Sequence, residues 1–95
     1  MPRPKYKSRY DIYARILKFC EVPRNIASIM EFCSLSGTTV YKHVTLLSDR
    51  GLLSKIEAPS LRKPLLMTTL KGLRYLKYYE ELRKLVGNGL GQTKQ

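Results

Sequence analysis

The stretch "LSGTTVYKHVTLLSDRGLL", residues 35–53, combines an apolar stripe with an outer face that carries no acid. Val40, Val44 and Leu47 recur at helical spacing, which predicts a helix over residues 37–50 with one side on a core. Ser36 is placed to cap it, its hydroxyl on the free amides of the first turn, and Gly51 supplies the left-handed residue that ends it. The other side opens on Ser36, Gly37, Thr38 and Thr39 and continues with Tyr41, Lys42 and Thr45. Any polar residues would serve solubility there, acids included, yet none occurs between Ser36 and Ser48. Such a face suits a polyanion.

Working upstream, Ile26, Ile29 and Met30 fit a short helix over residues 24–32, and "CSLS", residues 33–36, reads as a compact turn. Before it, Ser8 and Asp11 form a start of the capping-box kind. Ile12, Tyr13, Ile16, Leu17 and Cys20 then recur with helical period, giving a helix over residues 9–21 closed by Pro23. Downstream of Gly51, "LLSKIE" and "LLMTT" have the length and composition of strands, separated by the basic loop "APSLRKP". Thr69 is placed to cap a last helix over residues 70–86.

Helix, helix, turn, helix, β-hairpin, helix is the order of a winged helix-turn-helix, mainly α with a small β wing. In that fold the helix over residues 37–50 enters a major groove. Its small first residues allow close backbone approach, and its amide dipoles favour a phosphate. Ser36, Gly37, Thr38, Thr39, Tyr41, Lys42 and Thr45 are therefore the candidate DNA contacts on the helix, with Arg62 and Lys63 on the wing over residues 58–64. Arg3, Lys5 and Lys7 lie in a basic arm over residues 1–7 that is expected to be flexible and to track the phosphate backbone. The Gly-rich tail, residues 87–95, is expected to fray.

With "KSRYDIYARIL" opening the first helix, "IM" at 29–30, "LS" at 35–36, "LLSDRGLL" at 46–53 and "TTLKG" at 68–72, the chain resembles a family across residues 7–86. The family is that of the small archaeal winged-helix DNA-binding proteins whose C-terminal helix forms an antiparallel coiled-coil dimer. The resemblance implies DNA contacts at Gly37, Thr38, Thr39, Tyr41, Lys42, Arg62 and Lys63. Two positions depart from the family pattern: His43 stands where an aromatic is usual, and Leu70 where an acid usually follows the threonine pair. Position 43 shares a side with Val40, Val44 and Leu47, so a partly buried packing histidine is expected.

Charge and composition bound the rest. Eighteen Lys and Arg against seven Asp and Glu over 95 residues give a net charge of +11, more than solubility needs. The partner expected is double-stranded DNA, with an RNA- or protein-binding winged helix and an anionic membrane surface as the rivals. No apolar run is long enough to span a bilayer, and "MPRPKYKSRY" leads into no signal-type segment, so a cytoplasmic, nucleoid-associated protein is expected. Cys20 and Cys33 lack metal-ligand spacing and read as buried thiols. No phosphate loop, HExxH or nucleophile elbow is present, so neither enzyme activity nor a cofactor or small-molecule ligand is expected. On the last helix Tyr75, Tyr79, Leu82, Leu85 and Val86 form a seam at coiled-coil spacing, which predicts a homodimer.

Overall fold

The computed structural model describes residue 6 and residues 8–86. Four helices and one hairpin appear in the expected order: α1 (Arg9–Phe19), α2 (Ile26–Cys33), α3 (Gly37–Asp49), β1 (Leu53–Ile56), β2 (Leu65–Thr68) and α4 (Leu70–Val86). The strands pair antiparallel, with Leu53 opposite Thr68 and Ile56 opposite Leu65. The arm residues Arg3, Lys5 and Lys7 and the tail 87–95 lie outside the described residues.

The helix ends follow from local chemistry. The Asp11 carboxylate accepts the Ser8 amide at 3.2 Å at the start of α1. Two boundaries correct the sequence reading. α1 stops at Phe19, two residues early, and α2 begins at Ile26 rather than residue 24. The reason is Arg24, whose backbone exchanges two hydrogen bonds with Leu66 of β2, at 3.0 and 2.7 Å, and so forms a one-residue third strand. The Asn25 side chain then accepts the Ser28 amide at 2.8 Å and caps α2 in place of the arginine. Ser34, at φ 57°, turns the chain out of α2. Gly51, at φ 77°, does the same after α3, and the Leu52 amide reaches back to the Leu47 carbonyl at 2.8 Å.

The core lies where α1, α2, α3 and the hairpin converge. Ile16, Leu17, Cys20, Ile29, Cys33, Val40 and Leu47 are fully buried there, joined by Leu53 and Leu66. The hairpin is stitched beneath α1: the buried Thr68 hydroxyl donates to the Leu17 carbonyl at 2.5 Å and the Thr68 amide to the Cys20 carbonyl at 2.9 Å. Thr69 joins α4 to the end of α3, donating its hydroxyl to the Gly51 carbonyl at 2.6 Å while accepting the Gly72 amide at 3.1 Å. α3 is therefore held from both ends with its apolar stripe inward. Among the described residues, no helix is long and apolar enough to cross a membrane.

Candidate nucleic-acid interface

The inward and outward faces of α3 separate cleanly. Val40, Val44 and Leu47 are buried, whereas Thr38, Tyr41, Lys42 and Thr45 are all exposed. Those four stand three and four residues apart and so form one stripe along the helix. Tyr41 is 61% exposed, unusual for so large a side chain without a partner surface. Asp49, at the far end of the helix, is the first acid met along α3.

At the front of the helix the candidates divide by role. Ser36 accepts the Thr39 amide at 3.3 Å and donates its hydroxyl to the Thr39 hydroxyl at 3.0 Å. Both residues thus belong to the cap. Thr38 is left facing solvent. Gly37 packs beside Met30 of α2, but a Cβ at that position would stand 3.5 Å from the Met30 sulfur, an ordinary contact. The fold therefore leaves room for a side chain at position 37.

His43 is half-buried and meets the Tyr13 ring edge to face, with centroids 5.3 Å apart. Burial lowers its pKa, and the neighbouring charges of Lys42 and Arg9 push it the same way. It packs, as its position in the stripe suggested, and adds no positive charge near neutral pH.

On the wing, Arg62 and Lys63 are exposed in a loop whose tip closes with the Leu61 amide on the Ala58 carbonyl at 2.9 Å. Sequence reasoning missed Lys55, exposed on β1 in a hairpin that packs directly on α3. Strand period carried no signal for it: alternation puts Lys55 on the side of the buried Leu53, yet it is exposed one residue before the strand ends. The exposed Glu57 shares the loop with Arg62 and Lys63 and offsets part of their charge.

The α4 seam splits in two. Tyr75 is half-buried and donates its hydroxyl to the Tyr10 carbonyl at 2.9 Å, and the Tyr79 hydroxyl donates to the Asp11 carboxylate. These rings therefore lie against α1 of the same chain. Leu82, Leu85 and Val86 are 45%, 81% and 43% exposed. A shallow cleft of about 300 Å³ runs between the two groups, lined by Tyr10, Tyr75, Tyr78, Tyr79 and Leu82. The part of Tyr10 was not foreseen.

Cys20 and Cys33 are buried and free, and burial pushes the Cys20 thiol up to about 12. Neither thiol has the character of a reactive thiolate.

Three helices, a hairpin packed on the third, and an exposed acid-free stripe on that helix define a winged helix-turn-helix. Residues 7–87 match the sequence profile of the winged helix-turn-helix family, and the chain belongs to it. No curated protein sequence matches. Among solved structures the chain is similar to the transcriptional regulator BldR from Sulfolobus solfataricus, with 27% identity and a TM-score of 0.69 over 79% of this chain. It shares the fold of MepR in a Staphylococcus aureus MepR–DNA complex, at 14% identity and a TM-score of 0.67 over 81% of this chain. It also shares the fold of a Lactococcus lactis ZitR variant in complex with DNA, at 22% identity and a TM-score of 0.66 over 78% of this chain. The chain spans 56% of the BldR chain, 68% of the MepR chain and 52% of the ZitR chain.

Proposed function

We propose that this protein binds double-stranded DNA as a homodimer and acts as a transcription regulator or an architectural protein of the nucleoid, in the cytoplasm. The observation that carries this reading is the exposed stripe of Thr38, Tyr41, Lys42 and Thr45 on a helix whose opposite side is fully committed to the core. Ser36 and Gly37 set the front of that helix, Thr39 supports its cap, and the amides of the first turn offer donors to a phosphate. Arg62 and Lys63 supply backbone contact from the wing, and Arg3, Lys5 and Lys7 from the arm. Two such units related by a dyad would address successive major-groove faces. Tyr78, Leu82, Leu85 and Val86 supply the apolar surface for that pairing, with Tyr75 and Tyr79 as the floor of the cleft. The solved complexes of MepR and ZitR with DNA support the fold's fitness for this use.

The test is anisotropy of a labelled random-sequence duplex, titrated at several salt concentrations. A log–log slope of about −5 or steeper is expected, since each neutralised phosphate contributes roughly −0.9. Alanine at Thr38, Tyr41 and Lys42 together should weaken duplex binding with little change in melting temperature, because all three are exposed. Thr39 is best left out of that set, since its loss would loosen the cap. Unchanged duplex affinity in the triple variant would move the assignment to a winged helix that binds RNA or protein.

A further inference from the structure

The end of α3 and the start of α4 meet so that cations stand over an apolar floor. The carbonyls at the end of α3 are already engaged: Leu46 and Leu47 accept the Arg50 and Leu52 amides at 3.0 and 2.8 Å, and the Arg50 carbonyl accepts the Lys71 ammonium at 2.7 Å. The negative end of that helix is thus occupied, and its repulsion of an anion is reduced. α4 starts at the same place with no acid in its first turn, so its amide dipoles add positive potential there.

Along α4, Lys71, Arg74, Tyr75 and Tyr78 stand at i, i+3, i+4 and i+7 and share one face. That face borders a cleft of about 400 Å³, whose other walls come from Tyr10 of α1, from Leu46 and Arg50 of the α3 end, and from Leu52. Leu46, Leu52 and Tyr75 are half-buried and pack on the core, which makes the floor apolar and firm. Arg50, Lys71 and Arg74 are exposed in its wall, and none of the three forms an ion pair among the described residues. No acid lines the cleft. The adjoining tyrosine-lined cleft that ends on Leu82 has no charged residue in its lining, so charge separates the two.

These features fit one kind of ligand. The volume lies within the roughly 300–1,000 Å³ of small-molecule sites. A bare phosphate or a nucleic-acid backbone would use the cations and leave the apolar floor idle. A neutral apolar molecule would use the floor and leave the cations without a counter-charge. An aromatic or medium-chain aliphatic carboxylate uses both, with charge-assisted hydrogen bonds at one end and apolar burial at the other. The residues come together only through the packing of α1, α3 and α4, so no ligand is expected from the sequence alone.

We infer that the cleft between α1, the end of α3 and the start of α4 binds a small amphipathic carboxylate, its acid group held by Arg50 and Arg74 and its apolar body on Leu46, Leu52 and Tyr75. Lys71, bonded to the Arg50 carbonyl, holds the two helices together beside it. This site goes beyond duplex binding and does not depend on it.

The experiment is a titration of the isotope-labelled full-length protein with 2-naphthoate, followed by amide chemical shifts, with 2-naphthamide as the neutral counterpart and inorganic phosphate as the bare anion. Naphthoate should bind one site per chain, with shifts centred on Leu46, Leu52 and Arg74. Naphthamide should bind about tenfold more weakly or worse, the size of one charge-assisted contact. Arg50→Gln/Arg74→Gln should weaken naphthoate binding by a similar factor, and both side chains are exposed, so the remaining amide spectrum should stay dispersed. The comparison of acid with amide uses the wild-type chain and decides the matter without any variant. Equal affinity for the two would overturn the inference, as would shifts centred on Tyr79 and Leu82. Displacement of naphthoate by equimolar phosphate would overturn it too, marking a surface for phosphate alone, and so would the absence of naphthoate binding at millimolar concentration. Duplex affinity enters none of these readouts, so this inference and the duplex-binding reading stand or fall separately.

Discussion

Tyr13 of α1 and His43 of α3 meet edge to face, with ring centroids 5.3 Å apart and planes at 75°, and this contact ties α3 to α1. It also makes stability depend on pH. Burial, then Lys42 and Arg9, hold the His43 pKa below its usual value in the folded chain. Above the unfolded value, near 6.5, the ring is neutral in both states and the contact contributes in full. As pH falls through that value the unfolded chain takes up the proton first, and stability is lost until the folded ring protonates as well. His43→Phe preserves the edge-to-face contact and removes the titration. Melting temperatures at pH 7.5 and 5.5 should therefore diverge more in wild type than in the variant. An equal drop in both would show that other groups carry the acid sensitivity.

Gly72 of α4 sits against the hairpin without room for a side chain. A Cβ there would lie 2.5 Å from the Leu52 carbonyl oxygen and 2.5 Å from the Thr68 methyl group. The first of these is backbone and cannot rotate away. Gly72→Ala should therefore destabilise the fold by about 1–3 kcal/mol, despite alanine's better helix propensity. Urea denaturation measures this directly, and a neutral or stabilising result would mean that α4 can lift from the sheet at no cost.

Gly37 gives the opposite expectation. An added methyl would make only an ordinary contact with Met30, so Gly37→Ala should leave the melting temperature unchanged or slightly raised. Duplex affinity should nonetheless fall about fivefold or more, the size of one lost hydrogen bond of about 1 kcal/mol, because the methyl would hold the first turn away from the phosphate. Duplex affinity equal to wild type would show that close backbone approach at position 37 has no part in binding.

These contrasts show which features the sequence carried. Ser36, Gly51 and Thr69 mark helix boundaries because capping chemistry is local, and the structure places each at the end it was expected to occupy. Arg24 misled because its backbone pairs with Leu66, 42 residues away, and that pairing, absent from local pattern, moved the start of α2 to Ile26. Asn25 carries a local cap signal of the same kind, and its side chain accepts the Ser28 amide at the start of α2. On α3 the stripe of valines and leucine oriented the whole helix, so the exposed candidates could be identified in advance. On α4 the periodicity was real, but period alone does not say which partner a seam meets. Tyr75 and Tyr79 engage α1 through hydroxyl groups whose acceptors, the Tyr10 carbonyl and the Asp11 carboxylate, lie more than 60 residues earlier.

That division of α4 sharpens the expectation for assembly. Tyr78, Leu82, Leu85 and Val86 remain on the surface beside the tyrosine-lined cleft. The helix carries Lys71, Arg74 and Lys77 in its first half, while Glu80 and Glu81 are matched by Arg83 and Lys84 after them, so the apolar side chains and not charge would drive the pairing. Full burial of each large apolar side chain contributes up to about 1.5–3 kcal/mol, and four such side chains on each of two copies suffice for association at micromolar concentrations. Sedimentation equilibrium should show a dimer in wild type and a monomer in Leu82→Glu/Leu85→Glu. Since both leucines are exposed in the single chain, the variant should stay folded, while its melting temperature loses the concentration dependence expected of wild type. Duplex binding by the variant should also weaken, because one unit then addresses one groove face. Monomeric wild type at hundreds of micromolar would remove the homodimer and leave the exposed end of α4 to a partner of another kind.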